Sequence, residues 1–238
     1  MFAARTSFFG TNIITDNLQF YIDAGDKNSY PGSGTAWDDL TTGNFDLTLQ
    51  NGPTFDSGNG GSIVFDGTND NAYRANALNV GQSFTLFAWI NPDAVGTTRR
   101  MVFQTSYPYS TGVGWGFFVG VGSAANAMFL SLGADNQYRV SSANVISLNT
   151  WQLITAKRNG SAGSIQLYKN GVETTYSATI GTVTTIAYTN NNTYVGYRQG
   201  AAPDPYDGKI AQVMAYNRNL SNQEILNNFN ATRGRYGV

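Results

Sequence analysis

Short apolar segments separated by turn-forming residues recur along the whole chain, and this punctuation limits the fold more than any other feature. The clearest are Leu18–Asp23, Ser62–Asp66, Phe84–Ile90, Met101–Thr105, Gly114–Val121, Ala127–Leu132, Trp151–Lys157, Ser164–Lys169, Thr193–Tyr197 and Lys209–Tyr216. None shows a helical period, and strands so punctuated predict an all-β, antiparallel two-sheet sandwich. In Ser164–Lys169, residues Ile165 and Leu167 should face the core and Gln166 water. Asn170-Gly171 then supplies the two positive φ angles of a type I′ hairpin turn. Phe84–Ile90 is apolar on both faces, which predicts a central strand whose second face is also covered.

The pattern changes once, near the end. Leu220-Ser221-Asn222-Gln223-Glu224-Ile225 reads as a capping box, with Ser221 and Glu224 capping each other and Leu220 stapled to Ile225. A short helix is expected from about Asn222 to Phe229, packing through Ile225, Leu226 and Phe229, with the tail Arg233–Val238 as a surface strip. At 238 residues, with no repeat, linker or charge block, one sandwich over residues 17–238 is expected. Residues 1–16 precede its first strand and carry Phe2, Phe8 and Phe9 on a polar background. Three exposed phenylalanines favour an arm that docks on another surface.

The chain has no cysteine and no histidine. That removes thiolate nucleophiles, disulfides, His-assisted triads and His-ligated zinc. A net charge of -1, with basic residues scattered apart from short pairs such as Arg99-Arg100, argues against nucleic acid as a partner. No run of about 18 apolar residues suggests a membrane span. The start lacks the unbroken apolar stretch of a signal peptide, so synthesis in a cytoplasm is expected.

Several of these segments, in their order, resemble the laminin G-like members of the concanavalin A-like lectin and glucanase superfamily. They are Tyr21-Ile22-Asp23-Ala24, Gly61–Gly67 with Asp70, Phe84–Ile90, Asn149-Thr150-Trp151-Gln152, Ile165–Gly171, Thr193-Tyr194-Val195-Gly196 and Asp207–Val213 through Tyr216-Asn217-Arg218. The resemblance spans Leu18 to about Asn230 and implies a jelly roll. The stretches Ser29–Trp37 and Asn230–Arg235 are similar to copies in structural proteins of tailed bacteriophages. What this implies is a non-enzymatic virion component, a capsid decoration protein or a tail, fibre or baseplate element. Its partners would be other virion proteins and its own copies, and its location the virion. The alternative is a carbohydrate-binding lectin or receptor-binding module with glycan partners.

Glucanases of the superfamily hydrolyse with two Glu residues on one strand face, and a retaining mechanism needs carboxyls about 5 Å apart. Here the glutamates are Glu173, in a hairpin, and Glu224, in the helix cap, so the glucanase motif is missing and no activity is expected. The resemblance also implies a possible calcium ion, held by Asp66, Gly67 and Asp70 with Asp23 nearby. Ala211 departs from the family pattern, where many relatives carry Asp in the stretch matching Ile210–Val213. A turn needing no ion is the competing reading of Asp66–Asp70. Tyr107, Tyr109 and Tyr206 lie in Gly-, Ser- and Pro-rich loops and are the expected contact rings for a glycan or partner, whereas Trp89, Trp115 and Trp151 are expected in the core.

Overall fold

The computed structural model describes residues 12–107, 113–133, 137–160, 164–181, 185–188, 192–198 and 203–238. Along the chain the strands are β1 (Leu18–Asp23), β2 (Ala36–Trp37), β3 (Leu47–Gln50), β4 (Thr54–Asp56), β5 (Ser62–Asp66), β6 (Asn71–Arg74), β7 (Phe84–Pro92), β8 (Arg100–Tyr107) and β9 (Trp115–Val121). They continue with β10 (Ala124–Leu132), β11 (Gln137–Ser141), β12 (Gln152–Arg158), β13 (Ile165–Lys169), β14 (Val172–Glu173), β15 (Tyr176–Ile180), β16 (Asn192–Val195) and β17 (Asp207–Tyr216), before the helix α1 (Asn222–Thr232).

These strands form two antiparallel sheets. An eight-stranded sheet runs β14-β13-β12-β7-β17-β5-β4, with β1 also paired to β17; a nine-stranded sheet runs β15-β11-β10-β9-β8-β16-β6-β3-β2. The sandwich predicted from the punctuation is thus the observed architecture. Strand β17 is long enough to hold β7 along one edge and, on the other, β5 followed end to end by β1. Between the sheets lies the main core, in which Phe103 meets Trp115 edge-on at 4.8 Å and stacks on Phe20 at 5.5 Å.

The apolar character of β7 on both faces finds its cause here. Its even-numbered side chains, among them Leu86, Ala88 and Ile90, enter the main core; Phe87 and Trp89 point outward yet are 0% exposed. Their cover is α1, nucleated as expected: the Ser221 side chain accepts from the Glu224 amide, and the Glu224 carboxylate accepts from the Ser221 amide. Leu220 and Ile225, the expected staple, are both fully buried beneath it. The hairpin Asn170-Gly171 has φ angles of 51° and 80°, and a side chain at Gly171 would collide with Leu226 of α1.

One expectation is corrected in part. The tail exposes Arg233, Gly234, Gly237 and Val238 but is anchored by Tyr236, which is 5% exposed and whose ring stacks on Trp89 at 4.0 Å and lies 4.9 Å from Trp151. Trp89 also donates from Nε1 to Thr232 Oγ1 at 2.8 Å. Ahead of β1, Ile13 and Ile14 pack in the cluster under α1, and the Ile14 amide donates to Asn228 Oδ1 at 2.8 Å. Phe2, Phe8 and Phe9 lie outside the described residues.

Tyr236 should therefore contribute through its ring rather than its hydroxyl, which is buried without a hydrogen-bond partner. Tyr236→Ala should destabilise the domain by about 3 to 5 kcal/mol, the cost of emptying a buried aromatic site. Tyr236→Phe, which deletes an unsatisfied polar group, should be neutral or slightly stabilising. Urea denaturation of the two variants checks this, and equal losses in both would refute the ring's role.

Candidate functional site

The strand register places one row of side chains across the outer face of the nine-stranded sheet. Thr48 on β3 pairs with Tyr73 on β6, which pairs with Tyr194 on β16, which pairs with Gln104 on β8. Gln104 is opposite Gly116 on β9, Gly116 opposite Ser131 on β10, and Ser131 opposite Tyr138 on β11. Their chain neighbours Ala72, Val195, Phe103, Trp115, Phe117, Leu130 and Leu132 all enter the main core, so strand alternation turns this row outward.

Along the row the chemistry changes. The Tyr73 and Tyr194 rings are 5.2 Å apart, and Tyr197 lies 6.3 Å beyond. Asn192 ties them, accepting from the Tyr73 hydroxyl at 3.3 Å and donating to the Tyr194 oxygen at 3.4 Å. Gln104 is 1% exposed, and neither its amide nitrogen nor its amide oxygen has a hydrogen-bond partner. Two residues along β9, β10 and β11 from this row, on the same face, Phe118, Phe129 and Val140 form with Met101 of β8 a separate apolar cluster, with Arg99 lying 5.0 Å over the Phe129 ring.

The tyrosines expected as contact rings fall elsewhere. Tyr206 is corrected: its 0% exposed ring meets Phe65 edge-on at 6.1 Å, because its amide and carbonyl pair with Gly196 and Gly67 and turn the side chain inward. Tyr107 ends β8, its backbone opposite Asn192, and Tyr109 lies outside the described residues. Trp89 and Trp115 are buried as expected, and Trp151 is 8% exposed. Tyr73, Tyr194 and Gln104 escaped the sequence reading. Their signal was alternation in Asn71–Arg74 and Thr193–Tyr197, too short to show a face by itself.

The set implied for calcium is not assembled. Asp23 pairs with Gln212 on β17 and Asp66 with Asp207, so they are five positions apart on one strand, about 17 Å at the usual rise. A cation already serves Asp23: Arg235 donates to its Oδ1 at 2.6 Å, while Gln212 Nε2 donates to its Oδ2 at 2.7 Å. Ala211 is fully buried in the cluster under α1 and offers no carboxylate.

Asp66, Gly67 and Asp70 do share the β5–β6 turn. Asp66 Oδ1 accepts from the Thr68 amide at 2.8 Å, and Asp70 Oδ2 accepts from the Asp66 amide at 3.1 Å. Asp70 Oδ1 is buried without a partner, and burial raises the Asp70 pKa above its ordinary value. Among the described residues no group of three or more acidic side chains is placed to hold a metal. Asp66 and Asp70 thus bring two carboxylates to the turn, where a calcium cage takes about six to eight oxygens in all.

Both glutamates are engaged in structural hydrogen bonds. Glu173 accepts from Gln166 at 2.9 Å and from the Tyr176 hydroxyl at 2.6 Å. Glu224 closes the capping box and accepts from Arg218 at 2.7 Å, which with its other hydrogen bonds holds its pKa at about 2. Among the described residues, no helix is long and apolar enough to cross a membrane.

Two antiparallel sheets, an apolar core between them and a capped C-terminal helix define a lectin-type jelly roll. The chain belongs to the concanavalin A-like lectin/glucanases superfamily, whose family model matches residues 65–226. Similar solved structures include domain 4 of AbnA, a GH43 extracellular arabinanase from Geobacillus stearothermophilus, in complex with arabinotriose (TM-score 0.66, 15% identity, 91% of this chain and 98% of that one). Others are the binding domain of botulinum neurotoxin DC in complex with SialylT (0.67, 13%, 91% and 52%) and the binding domain of Paraclostridial Mosquitocidal Protein 1 (0.65, 16%, 91% and 52%). This chain thus spans about half the length of those toxin binding domains. At such identities the likeness is one of fold. No curated protein matches the sequence.

The raised Asp70 pKa has a definite sign. A carboxyl whose folded pKa lies above its unfolded value, about 3.9, stabilises the fold below that value and loses this contribution as pH rises through the folded pKa. Asp70→Asn should therefore raise the melting temperature at pH 7 and have little effect near pH 3.5, with chelator or with calcium. A calcium-dependent rise in the unsubstituted protein that Asp70→Asn abolishes would instead place an ion on this turn.

Proposed function

We propose that the chain is a non-catalytic carbohydrate-binding module that engages a glycan on the outer face of its nine-stranded sheet. The observation that carries this reading is the cluster of Tyr73, Tyr194 and Tyr197, joined by the Asn192 amide and lying beside the unpartnered amide of Gln104. Aromatic rings offer flat apolar faces with polar edges, and amides supply paired donors and acceptors, the combination that a polyhydroxylated ring requires. Two further facts support it. Neither glutamate is free to act as acid or nucleophile. Structures of the same fold include an arabinanase domain in complex with arabinotriose and a toxin binding domain in complex with SialylT.

The wording of Ser29–Trp37 and Asn230–Arg235 favours a setting for this module, the virion of a tailed phage, in its capsid or tail. There its own copies and other virion proteins would be partners, with Phe2, Phe8 and Phe9 as the attachment arm. Immunogold labelling of purified particles tests that placement.

Binding is tested on a glycan array followed by titration calorimetry on the best ligand. Tyr73→Ala, at a half-buried ring, should weaken binding about tenfold, a loss of about 1.4 kcal/mol, while leaving the fold intact by circular dichroism. Glu173→Gln and Glu224→Gln should bind as the parent does, and incubation with arabinan or β-glucan should release no reducing ends. Cleavage that either glutamine variant abolishes would overturn the non-catalytic reading.

A further inference from the structure

We infer that Gln104 is the specificity-determining residue of this face, its side-chain amide reading two hydroxyl groups of a neutral saccharide chain. The inference rests on the carbohydrate-binding reading above and deepens it. Buried polar groups are almost always hydrogen-bonded, and each exception requires an explanation. Gln104 leaves both an acceptor and a donor unpaired at 1% exposure, in the middle of a sheet where an apolar residue of that size would cost nothing.

Its surroundings say what would satisfy it. Directly across the ladder stands Gly116, which carries no side chain, and beyond it Ser131. On the opposite side is Tyr194, in ring contact with Tyr73. The row deepens from exposed Thr48 through half-buried Tyr73 to Tyr194 at 5%, Gln104 at 1% and Ser131 at 0% before rising to half-buried Tyr138, so the amide lies in its deepest part.

Two further features define the ligand. No residue of the row from Thr48 to Tyr138 is charged, so nothing in it matches a carboxylate, sulfate or phosphate. An amide presents one donor and one acceptor side by side, the complement of two adjacent hydroxyls of which one accepts and the other donates. From Tyr73 to Tyr138 the row crosses six strands, about 24 Å at ~4.8 Å per strand, which suits an extended chain better than a single sugar.

The test uses Gln104→Leu, with Gln104→Met as the second variant should leucine fail to fold. Neutral oligosaccharides are arrayed against the full chain, and the best ligand is titrated together with its monodeoxy analogues. Each variant should melt at or above the temperature of the unsubstituted protein, because an unpaired buried amide has been removed, yet bind the parent sugar at least tenfold more weakly. The unsubstituted protein should bind at least one deoxy analogue about tenfold more weakly than the parent sugar, whereas the variants should bind the two alike. Unchanged affinity in the variants, or a melting temperature that falls in both, overturns the role of Gln104 while leaving carbohydrate binding standing. Failure of the unsubstituted protein to bind any neutral oligosaccharide overturns the inference and the binding site beneath it together.

Discussion

Strands β7 and β17 lie side by side in the middle of the eight-stranded sheet, and both faces of that ladder are removed from water. A strand so placed can satisfy its amides and carbonyls only through its neighbours, since an unpaired buried peptide group costs as much as a lost hydrogen bond. The antiparallel register from Gly208↔Pro92 to Tyr216↔Thr85 meets that demand. Everything else follows from the need to cover two apolar faces at once. The nine-stranded sheet covers the inner face, and α1 with the tail covers the outer one. Phe229, Tyr236 and Thr232 close over Trp89, and Arg235 fixes the tail by donating to the carbonyls of Asn59 and Gly61 as well as to Asp23.

This division leaves the outer face of the nine-stranded sheet as the place where side chains can be chosen for something other than packing. Half of that face is apolar, with Phe118 and Phe129 5.3 Å apart. The other half carries tyrosines, amides and a glycine, with the Gln104 amide buried and unpaired among them. An unpaired amide in such a place is a cost that a stable fold has no reason to keep. Folds tolerate costs of this kind at sites where a ligand recovers them.

The Asp23 region shows a different solution to burying charge. Its carboxylate is 6% exposed, and an isolated ion there would be expensive. Instead of a metal, the chain brings a guanidinium from a residue 212 positions later, together with the Gln212 amide and the Tyr21 hydroxyl. A buried pair of this kind adds little net stability, but removing one partner strands the other. Its effect is to tie the C-terminal tail to the junction where β1 meets β5 along β17.

How far the sequence could be read follows from the range of the interactions involved. Period-two alternation in Ser164–Lys169, the Asn170-Gly171 turn, the doubly apolar Phe84–Ile90 and the Ser221–Glu224 capping box are all local, and each has its expected place in the structure. The strands β2, β3, β4, β6, β11, β14 and β15 escaped notice because they are short and polar residues interrupt them, so they carry too little apolar pattern to register. The outer face of the nine-stranded sheet was illegible for a stronger reason. Tyr73, Gln104, Tyr194 and Gly116 come from four segments, and only strand register sets them in one row. Asp23 and Asp66, close in the wording that suggested a shared ion, were separated by the same register, and Tyr206 was turned inward by backbone pairing to Gly196 and Gly67. By itself the sequence determined the fold class, the hairpin and helix signals and the absence of thiol and imidazole chemistry, because these depend on residue type and near neighbours. Tertiary structure alone decided which side chains meet, because pairing between distant strands is set by how two whole sheets bury their common core.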